Sequence, residues 1–237
     1  KYAEIEIGGQ KIDKHYAEWM YIWNELSLPV GKKDAYYSMV GGGGGNLDGN
    51  LYVPLEFWFC RNVGLALPLI GLQYHEVKIN IQFAPESECI KNGETATAGA
   101  AFNASLWVDY VYLDTDERRK FAQSSHEYLI EQLQFTGKEV AGNKIKLNFN
   151  HPVKELVWTV QTDTPNNDNW FNFTSSATAV TQVGAANYDA LSALIGPNSG
   201  LTNAVKEGKL TLNGNDRFAS RDGKYFNLVQ PFQHHEN

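Results

Sequence analysis

The sequence predicts an all-β fold of the sandwich type, and three observations support that prediction. Short stretches in which apolar and polar residues alternate recur along the 237 residues. Long polar loops separate these stretches, and only two stretches show helical spacing. Aromatic residues make up 13% of the chain and stand beside many valines, isoleucines and threonines, which favour sheets. Many short strands with few helices indicate packed antiparallel sheets.

The chain opens with an expected hairpin, which is followed by an expected helix. Ile5 and Ile7 alternate with glutamates, a Gly-Gly pair predicts a turn, and Ile12 resumes the pattern. Residues 13–26 change to helical spacing, with Asp13 as the expected N-cap because its carboxylate can accept from the free amides of the first turn. Residues 27–50 are predicted to form a long loop.

The stretch around His75 and Glu76 raises the question of a zinc site. The zinc-protease signature requires a second histidine four residues after the first, and that position holds Ile79. The period of two that follows predicts a strand instead, so we expect no metal here. The side chains expected to face the core are Val77, Ile79, Ile81 and Phe83, and those expected to face away are Lys78, Asn80 and Gln82.

Further strands and one more short helix are predicted in the rest of the chain. The strands are expected at residues 51–62, 106–114, 127–135, 144–151 and 154–161, and residues 209–218 contain a strand followed by an Asn-Gly turn. Asp114 is expected to begin the helix, which should end near Ser124 or Ser125 and bury Phe121. Residues 84–105 and 162–190 are predicted to be polar loops, and residues 224–232 close the pattern.

The net charge, the cysteines and the hydrophobic runs of the sequence indicate which partners and which cellular compartment to expect. The net charge is −7, which offers no general electrostatic surface for nucleic acid. Arg118 and Arg119 follow Asp116 and Glu117, so that basic pair is interpreted as a solvated helix face. Cys60 and Cys89 are expected to be free thiols, which fits assembly in a reducing compartment. The sequence contains no run long enough for a membrane span and no visible signal peptide.

No constellation of residues predicts catalysis, a cofactor or a metal. The glycines at 41–45 lack the Gly-Lys-Ser/Thr sequence of a phosphate-binding loop. Asp114, Asp116 and Glu117 are explained by helix capping, and His234 and His235, as neighbours on an expected strand, would point to opposite faces. Two sequons remain as candidate N-glycosylation sites, at Asn103 and Asn172.

Long motifs in this sequence resemble the major capsid proteins of nucleocytoplasmic large double-stranded DNA viruses, the icosahedral viruses of algae, protists, insects and fish. The first half carries EIEIGGQKIDKHY, VPLEFWFCRNVGLALPLIGLQYHEVKINIQF and WVDYVYLDTDERRKFAQSSHEYLIEQLQF. LNFNHPVKELVW and LNGNDRFASRDGKYFNLVQPFQHH are similar to the second half of that family. The motifs occur in the family's order and touch nearly every predicted strand, and the resemblance fails mainly in the loops.

The resemblance implies a double jelly roll, with two consecutive eight-stranded antiparallel sandwiches in one chain. Residues 1–125 would be the first roll with a connecting helix, and residues 126–237 the second. Members of the family are longer at both ends, so each roll is expected to be incomplete. Their missing strands would expose faces lined by Trp58, Phe59, Trp107 and Trp158.

The same resemblance implies a structural protein and no enzyme. Three copies would form a pseudo-hexagonal capsomer of the icosahedral shell, with neighbouring capsomers and minor capsid proteins as partners and without direct contact to nucleic acid or membrane insertion. The protein would be found in the virion after assembly in the host cell, in its cytoplasm. The loops at 27–50 and 84–105 would lie at the outer surface of the capsomer.

Two other classes of protein would show the same sequence pattern of many short strands. A cupin-like enzyme requires clustered histidine and glutamate ligands, and the six histidines are scattered along the chain. A jelly-roll lectin requires an exposed aromatic platform with polar neighbours, and Trp170 beside Asn167, Asp168 and Asn169 is the candidate. Glycan binding would favour the lectin, and trimer formation without sugar binding would favour the capsid protein.

Overall fold

The computed structural model describes residues 1–41, 50–89, 103–139, 144–161 and 205–236. The chain divides into two compact units, each assembled from interleaved segments. Unit 1 comprises Lys1–Met20, Leu55–Ala84 and Ala96–Leu156, and unit 2 comprises Tyr21–Pro54, Pro85–Thr95 and Val157–Asn237. The boundary expected between residues 125 and 126 stays a prediction.

A three-stranded antiparallel sheet organises unit 1. Its strands are β1 (Tyr2–Ile7), β2 (Gln10–Tyr16) and β3 (Val77–Gln82), in the order β2-β1-β3. Gly8 and Gly9 make the β1–β2 turn with φ angles of 58° and 81°, which glycine adopts without a steric penalty. The predicted hairpin is therefore confirmed, with a bulge between Ile5 and Glu6.

The core of unit 1 lies against one face of this sheet. Ala3, Ile5, Phe57 and Trp58 are buried together. Around them pack the partly buried side chains Ile7, Ile12, Leu55, Phe59, Leu67, Val77 and Ile130. The strand predicted at residues 51–62 is wrong, because 3₁₀ turns at Trp58–Cys60 and Val63–Leu65 fold the chain over the sheet. Trp58, expected on an exposed face, is buried by that turn.

The orientation predicted for β3 holds over its first half. Val77 and Ile79 are partly buried while Lys78 and Asn80 are exposed, and Ile79 lies opposite the buried Ile5. Further along, Ile81 and Phe83 are 43% and 53% exposed. The apolar face of β3 therefore extends beyond the core that covers it.

Two helices follow the hairpin, α1 (Ala17–Ser27) and α2 (Val30–Val40). The expected N-cap at Asp13 is wrong, because β2 continues to Tyr16 and holds Asp13 inside the sheet core. The expected loop at 27–50 is also wrong over α2, whose C-cap Gly41 adopts a left-handed φ of 87°. Within unit 2, the Glu25 carboxylate of α1 accepts a hydrogen bond from the Tyr37 hydroxyl and lies 3.5 Å from the Lys33 ammonium.

Two shorter helices follow, α3 (Glu86–Cys89) and α4 (Thr115–Gln123). The α4 prediction is confirmed: the Asp114 carboxylate accepts from the Glu117 amide at 2.9 Å. The helix ends at Gln123, and the amide of the C-cap residue Ser124 donates to the Lys120 carbonyl at 3.1 Å. Phe121 is only partly buried, with its ring stacked on His126 at 4.5 Å.

The strands predicted at 106–114, 127–135, 144–151 and 154–161 are not formed. Residues 103–114, 125–139 and 144–161 lie outside helices and strands. Alternation selects the apolar side of a segment but does not supply the neighbouring strand that its backbone must pair with. These segments therefore keep the expected pattern without the expected ladder.

Unit 2 ends in short strands and a helical segment. β4 (Glu207–Gly208) pairs with β7 (Arg221–Asp222), and β5 (Thr211–Leu212) pairs with β6 (Asn215–Asp216). The predicted Asn-Gly turn joins β5 to β6, with φ angles of 50° at Asn213 and 82° at Gly214. A π-helical stretch, Tyr225–Val229, then leads into α5 (Gln230–His234). The prediction of only two helices is wrong.

Candidate assembly and modification sites

The most prominent surface feature of the described residues is an apolar strip at residues 106–112. Trp107 is 85% exposed and Tyr112 is 90% exposed. Other exposed members of the strip are Leu106, Val108, Tyr110 and Val111. Exposed apolar patches of this kind mark sites where another surface binds. All seven residues of the strip are exposed, and six of the seven are apolar or aromatic.

Other segments predicted as strands expose apolar side chains too. In unit 1, Leu129 is 95% exposed, and Phe135, Ile145 and Leu147 are exposed as well. In unit 2, Trp158 is 51% exposed. The expected exposure of Trp107 and Trp158 is therefore confirmed, whereas Trp58 is buried and Phe59 is partly buried.

The candidate glycosylation site that the structure describes lies next to the apolar strip. Asn103 and Ser105, the first and third residues of its sequon, are both exposed. An asparagine in this position is accessible to a modifying enzyme. Asn172, the other candidate, and the suggested aromatic platform at Trp170 lie outside the described residues.

His75 and Glu76 serve the turn that precedes β3. The Glu76 carbonyl accepts from the Gly8 amide at 2.9 Å, and the Glu76 carboxylate pairs with Lys78 at 3.1 Å. A Cβ at Gly8 would stand 2.6 Å from Nδ1 of His75, so the imidazole closes the space over the hairpin turn.

The remaining residues considered for chemistry make local contacts at helix ends and on a helix surface in the part of the chain that the structure describes. Asp114 caps α4, and Asp116 pairs with Arg119 at 3.6 Å on the exposed helix surface. His234 ends α5 and His235 is its C-cap, so the expectation that both lie on a strand is wrong. Within the described ranges, no group of three histidine, cysteine or acidic side chains could hold a metal ion.

A cleft of about 310 Å³ lies beside α4. It is lined by Leu113, Glu117, Lys120, Phe121, Ser124 and His126. The His126 ring nitrogen Nε2 lies 2.7 Å from the Phe121 carbonyl, so the imidazole forms a hydrogen bond with the last turn of the helix. The cleft therefore lies between α4 and the residues that directly precede and follow this helix.

An ionic cluster that the sequence did not predict links three segments of unit 1. The Glu131 carboxylate lies 2.6 Å from the Arg61 guanidinium and also accepts from the Lys154 ammonium. The hydrogen bond from Lys154, with a smaller contribution from Arg61, lowers the pKa of Glu131 below its ordinary value. No local motif signals this cluster, because its members lie far apart in sequence.

A buried polar pair lies at the edge of the unit 1 sheet. The Asp13 carboxylate is 2.9 Å from Nε2 of His15, with side-chain exposures of 1% and 4%. The His15 ring stacks on Phe57 at 4.5 Å. Ala3 and Ile5, the register partners of His15 and Asp13, belong to the core. β2 therefore turns the side chains of Asp13 and His15 towards the core.

Among the described residues, none of the helices combines the length and the apolar character needed to cross a bilayer.

Two protein-family models match the chain in consecutive order. The model described as major capsid protein N-terminus matches residues 1–114. The model described as large eukaryotic DNA virus major capsid protein matches residues 117–237. The junction between the matches coincides with the start of α4 at Thr115.

Two curated relatives align over almost the whole chain. The major capsid protein of Pyramimonas orientalis virus is 49% identical over 245 residues, covering 100% of this chain and 53% of the relative. The major capsid protein of Paramecium bursaria Chlorella virus 1 is 44% identical over 251 residues, covering 98% of this chain and 56% of the relative. The chain thus spans about half the length of these relatives.

A solved structure has a similar fold. The PBCV-1 virus capsid matches with a TM-score of 0.74 at 40% sequence identity, covering 98% of this chain and 60% of that one.

Proposed function

The chain belongs to the major capsid protein family of large eukaryotic DNA viruses, and we propose on that premise that it builds the outer shell of a virion. The observation that carries the proposal is the ordered match of two capsid family models across residues 1–114 and 117–237. High identity to viral major capsid proteins over nearly the whole chain supports it.

We propose that these residues contribute to two consecutive eight-stranded jelly rolls, residues 1–125 and 126–237. The fold similarity to the PBCV-1 virus capsid supports this architecture, as does the position of α4 where the two family matches meet. In such a roll the segments at 106–114, 127–135, 144–151 and 154–161 would gain strand partners from the rest of the protein. Their apolar alternation fits that role.

The working form proposed is a homotrimer with a pseudo-hexagonal outline, which tiles an icosahedral shell beside neighbouring capsomers and minor capsid proteins. The exposed apolar strip at 106–112 supports a protein that is completed by other surfaces. The proposed role is structural, without catalysis, direct nucleic-acid contact or membrane insertion. The proposed location is the virion, after assembly in the cytoplasm of the host cell.

We propose further that Asn103 carries an N-linked glycan where the host cell supplies the modification. Its exposed position in the sequon beside Ser105 supports this. Asn172 is proposed as a second acceptor on its sequon alone. Mass spectrometry of peptides from native particles, with and without enzymatic deglycosylation, tests both sites.

The test of the capsid proposal is the oligomeric state of the full protein. Size-exclusion chromatography with light scattering should give three times the chain mass, and negative-stain microscopy should show hexagonal capsomers. Trp107→Ser should reduce the trimer fraction, whereas Tyr74→Ser, at a 93% exposed position outside the strip, should not. A stable monomer that binds glycans would contradict the proposal and favour the lectin alternative.

A further inference from the structure

The Asp13 carboxylate holds a segment that lies 120 residues away in the chain. Its Oδ1 atom accepts from the backbone amide of Leu133 at 3.0 Å and from that of Lys14 at 2.8 Å. Its Oδ2 atom lies 2.9 Å from Nε2 of His15. A carboxylate without a proton can accept all three hydrogen bonds, and each is strengthened by its charge.

Residues 130–135, here termed the docking segment, run beside β2, the edge strand of the sheet. The side-chain nitrogen Nε2 of Gln132 donates to the Ile12 carbonyl at 2.5 Å, and Ile130 packs against the core. The Phe135 ring lies 5.1 Å from that of Tyr16. These contacts place the docking segment along the edge of β2, although it forms no strand there.

The position of Asp13 makes this attachment sensitive to a single side chain. A buried carboxylate that loses a donor keeps its desolvation penalty and loses part of its compensation. The partly buried Leu133 amide that loses its acceptor also loses its hydrogen bond within the protein. Both groups therefore favour the docked arrangement, and His15, fixed by its stacking on Phe57, holds the carboxylate in place.

We propose that Asp13 is a latch that couples the two family-matched parts of the chain. Asp13 belongs to the part that matches residues 1–114, and the docking segment belongs to the part that matches residues 117–237. Opening the latch releases the docking segment from β2 while the β1–β2–β3 sheet stays folded. The inference rests on these contacts alone and holds whatever the protein assembles into.

Hydrogen–deuterium exchange of the full protein, resolved to single amides, tests the latch. Asp13→Ala should accelerate exchange of the Leu133 amide and its neighbours in the docking segment by at least about tenfold, with β1 and β3 unchanged. Asp13→Asn should give an intermediate effect, because its amide oxygen still accepts from Leu133 and His15 can accept from its nitrogen in the other tautomer. Asp34→Asn, at an exposed position on α2, is the matched control and should change nothing.

Two results would overturn the proposal. One is unchanged exchange in the docking segment of a folded Asp13→Ala protein. The other is equal acceleration in the docking segment and in β1 and β3, which would mean that Asp13 only supports the sheet as a whole. If Asp13→Ala does not fold, Asp13→Asn decides the question by the same criteria.

Discussion

The β1–β2 hairpin and the apolar strip were both predicted to be strands but have different structures. In the hairpin, Ile5 is fully buried between its register partners Asp13 and Ile79. In the strip, Trp107 and Tyr112 are almost fully exposed, and residues 106–112 form no strand. The hairpin finds its first partner across a two-residue turn, so its pairing is local. The strip has no such neighbour, and its pattern alone does not produce a ladder.

The contrast indicates that an apolar pattern alone does not decide whether a segment is paired and covered. Elements closed by short turns or by their own caps are formed, as β5–β6 and α4 show. In contrast, the predicted strands within residues 103–114, 125–139 and 144–161 are not formed and expose apolar side chains, although β3 does pair with the distant β1. The four predictions below test this contrast.

The largest expected effect concerns residues 1–237 expressed by themselves. Their exposed apolar segments should drive self-association, whereas the full protein should give a defined oligomer. Light scattering after size-exclusion chromatography makes the comparison. A monodisperse monomer of residues 1–237 with a cooperative thermal melt would show that the exposed segments need no cover.

Substitution of the hairpin core should cost the most stability. Ile5→Ala removes a fully buried side chain and should lower the free energy of unfolding of the full protein by about 2–5 kcal/mol. Ile81→Ala, on the exposed end of β3, is the matched control and should cost less than about 1 kcal/mol. Chemical denaturation measures both, and equal losses would contradict the contrast between covered and uncovered apolar residues.

Removal of the N-cap of α4 should reduce the stability of the protein moderately. Asp114→Ala removes the acceptor for the Glu117 amide and should lower the free energy of unfolding by about 0.5–2 kcal/mol. Asp114→Ser keeps an oxygen that can cap the helix and should recover most of the loss. If serine is no better than alanine, the cap does not stabilise α4.

Disruption of the ionic cluster at Glu131 should reduce the stability of the protein least, because the cluster is partly exposed to solvent. The pKa of Glu131 is lowered, so the ion pairs of Glu131 with Lys154 and Arg61 stabilise the folded protein at pH values above the ordinary carboxyl pKa. This stabilisation is lost as the pH falls through the lowered pKa. Glu131→Gln should therefore cost about 0.2–1 kcal/mol at neutral pH, less at high salt, and nothing in strong acid.

Thermal melts from neutral to acidic pH measure this difference, with Glu139→Gln as an exposed control. A difference between Glu131→Gln and the native protein that stays constant into strong acid would exclude the ionic explanation.

The sequence predicted those features whose signals are local. The Gly-Gly and Asn-Gly turns, the start of β3 after Glu76 and the capping by Asp114 are each read from a few adjacent residues. The family resemblance could also be recognised from the sequence, because long continuous motifs carry it. Helix α2 was missed although Pro29 precedes it and Gly41 ends it, which are usable boundary signals.

Other features depend on residues that are distant in sequence. The N-terminal cap assigned to Asp13 followed a sound local rule, yet the carboxylate is held by Leu133 and His15 inside the sheet core. Trp58 is buried because a 3₁₀ turn folds it over β1, which no alternation pattern indicates. The Glu131 cluster joins residues 70 and 23 positions apart. Such contacts are decided by tertiary packing.

The most direct test of the central claim is the solvent accessibility of Trp107 in assembled particles. Hydroxyl-radical footprinting read by mass spectrometry compares native virions with isolated residues 1–237, and reactivity is normalised to a free-tryptophan standard. If the chain is a shell protein completed by other surfaces, Trp107 should react strongly in the isolated segment and at least about tenfold less in the virion. Equal reactivity of Trp107 in both samples would contradict the account.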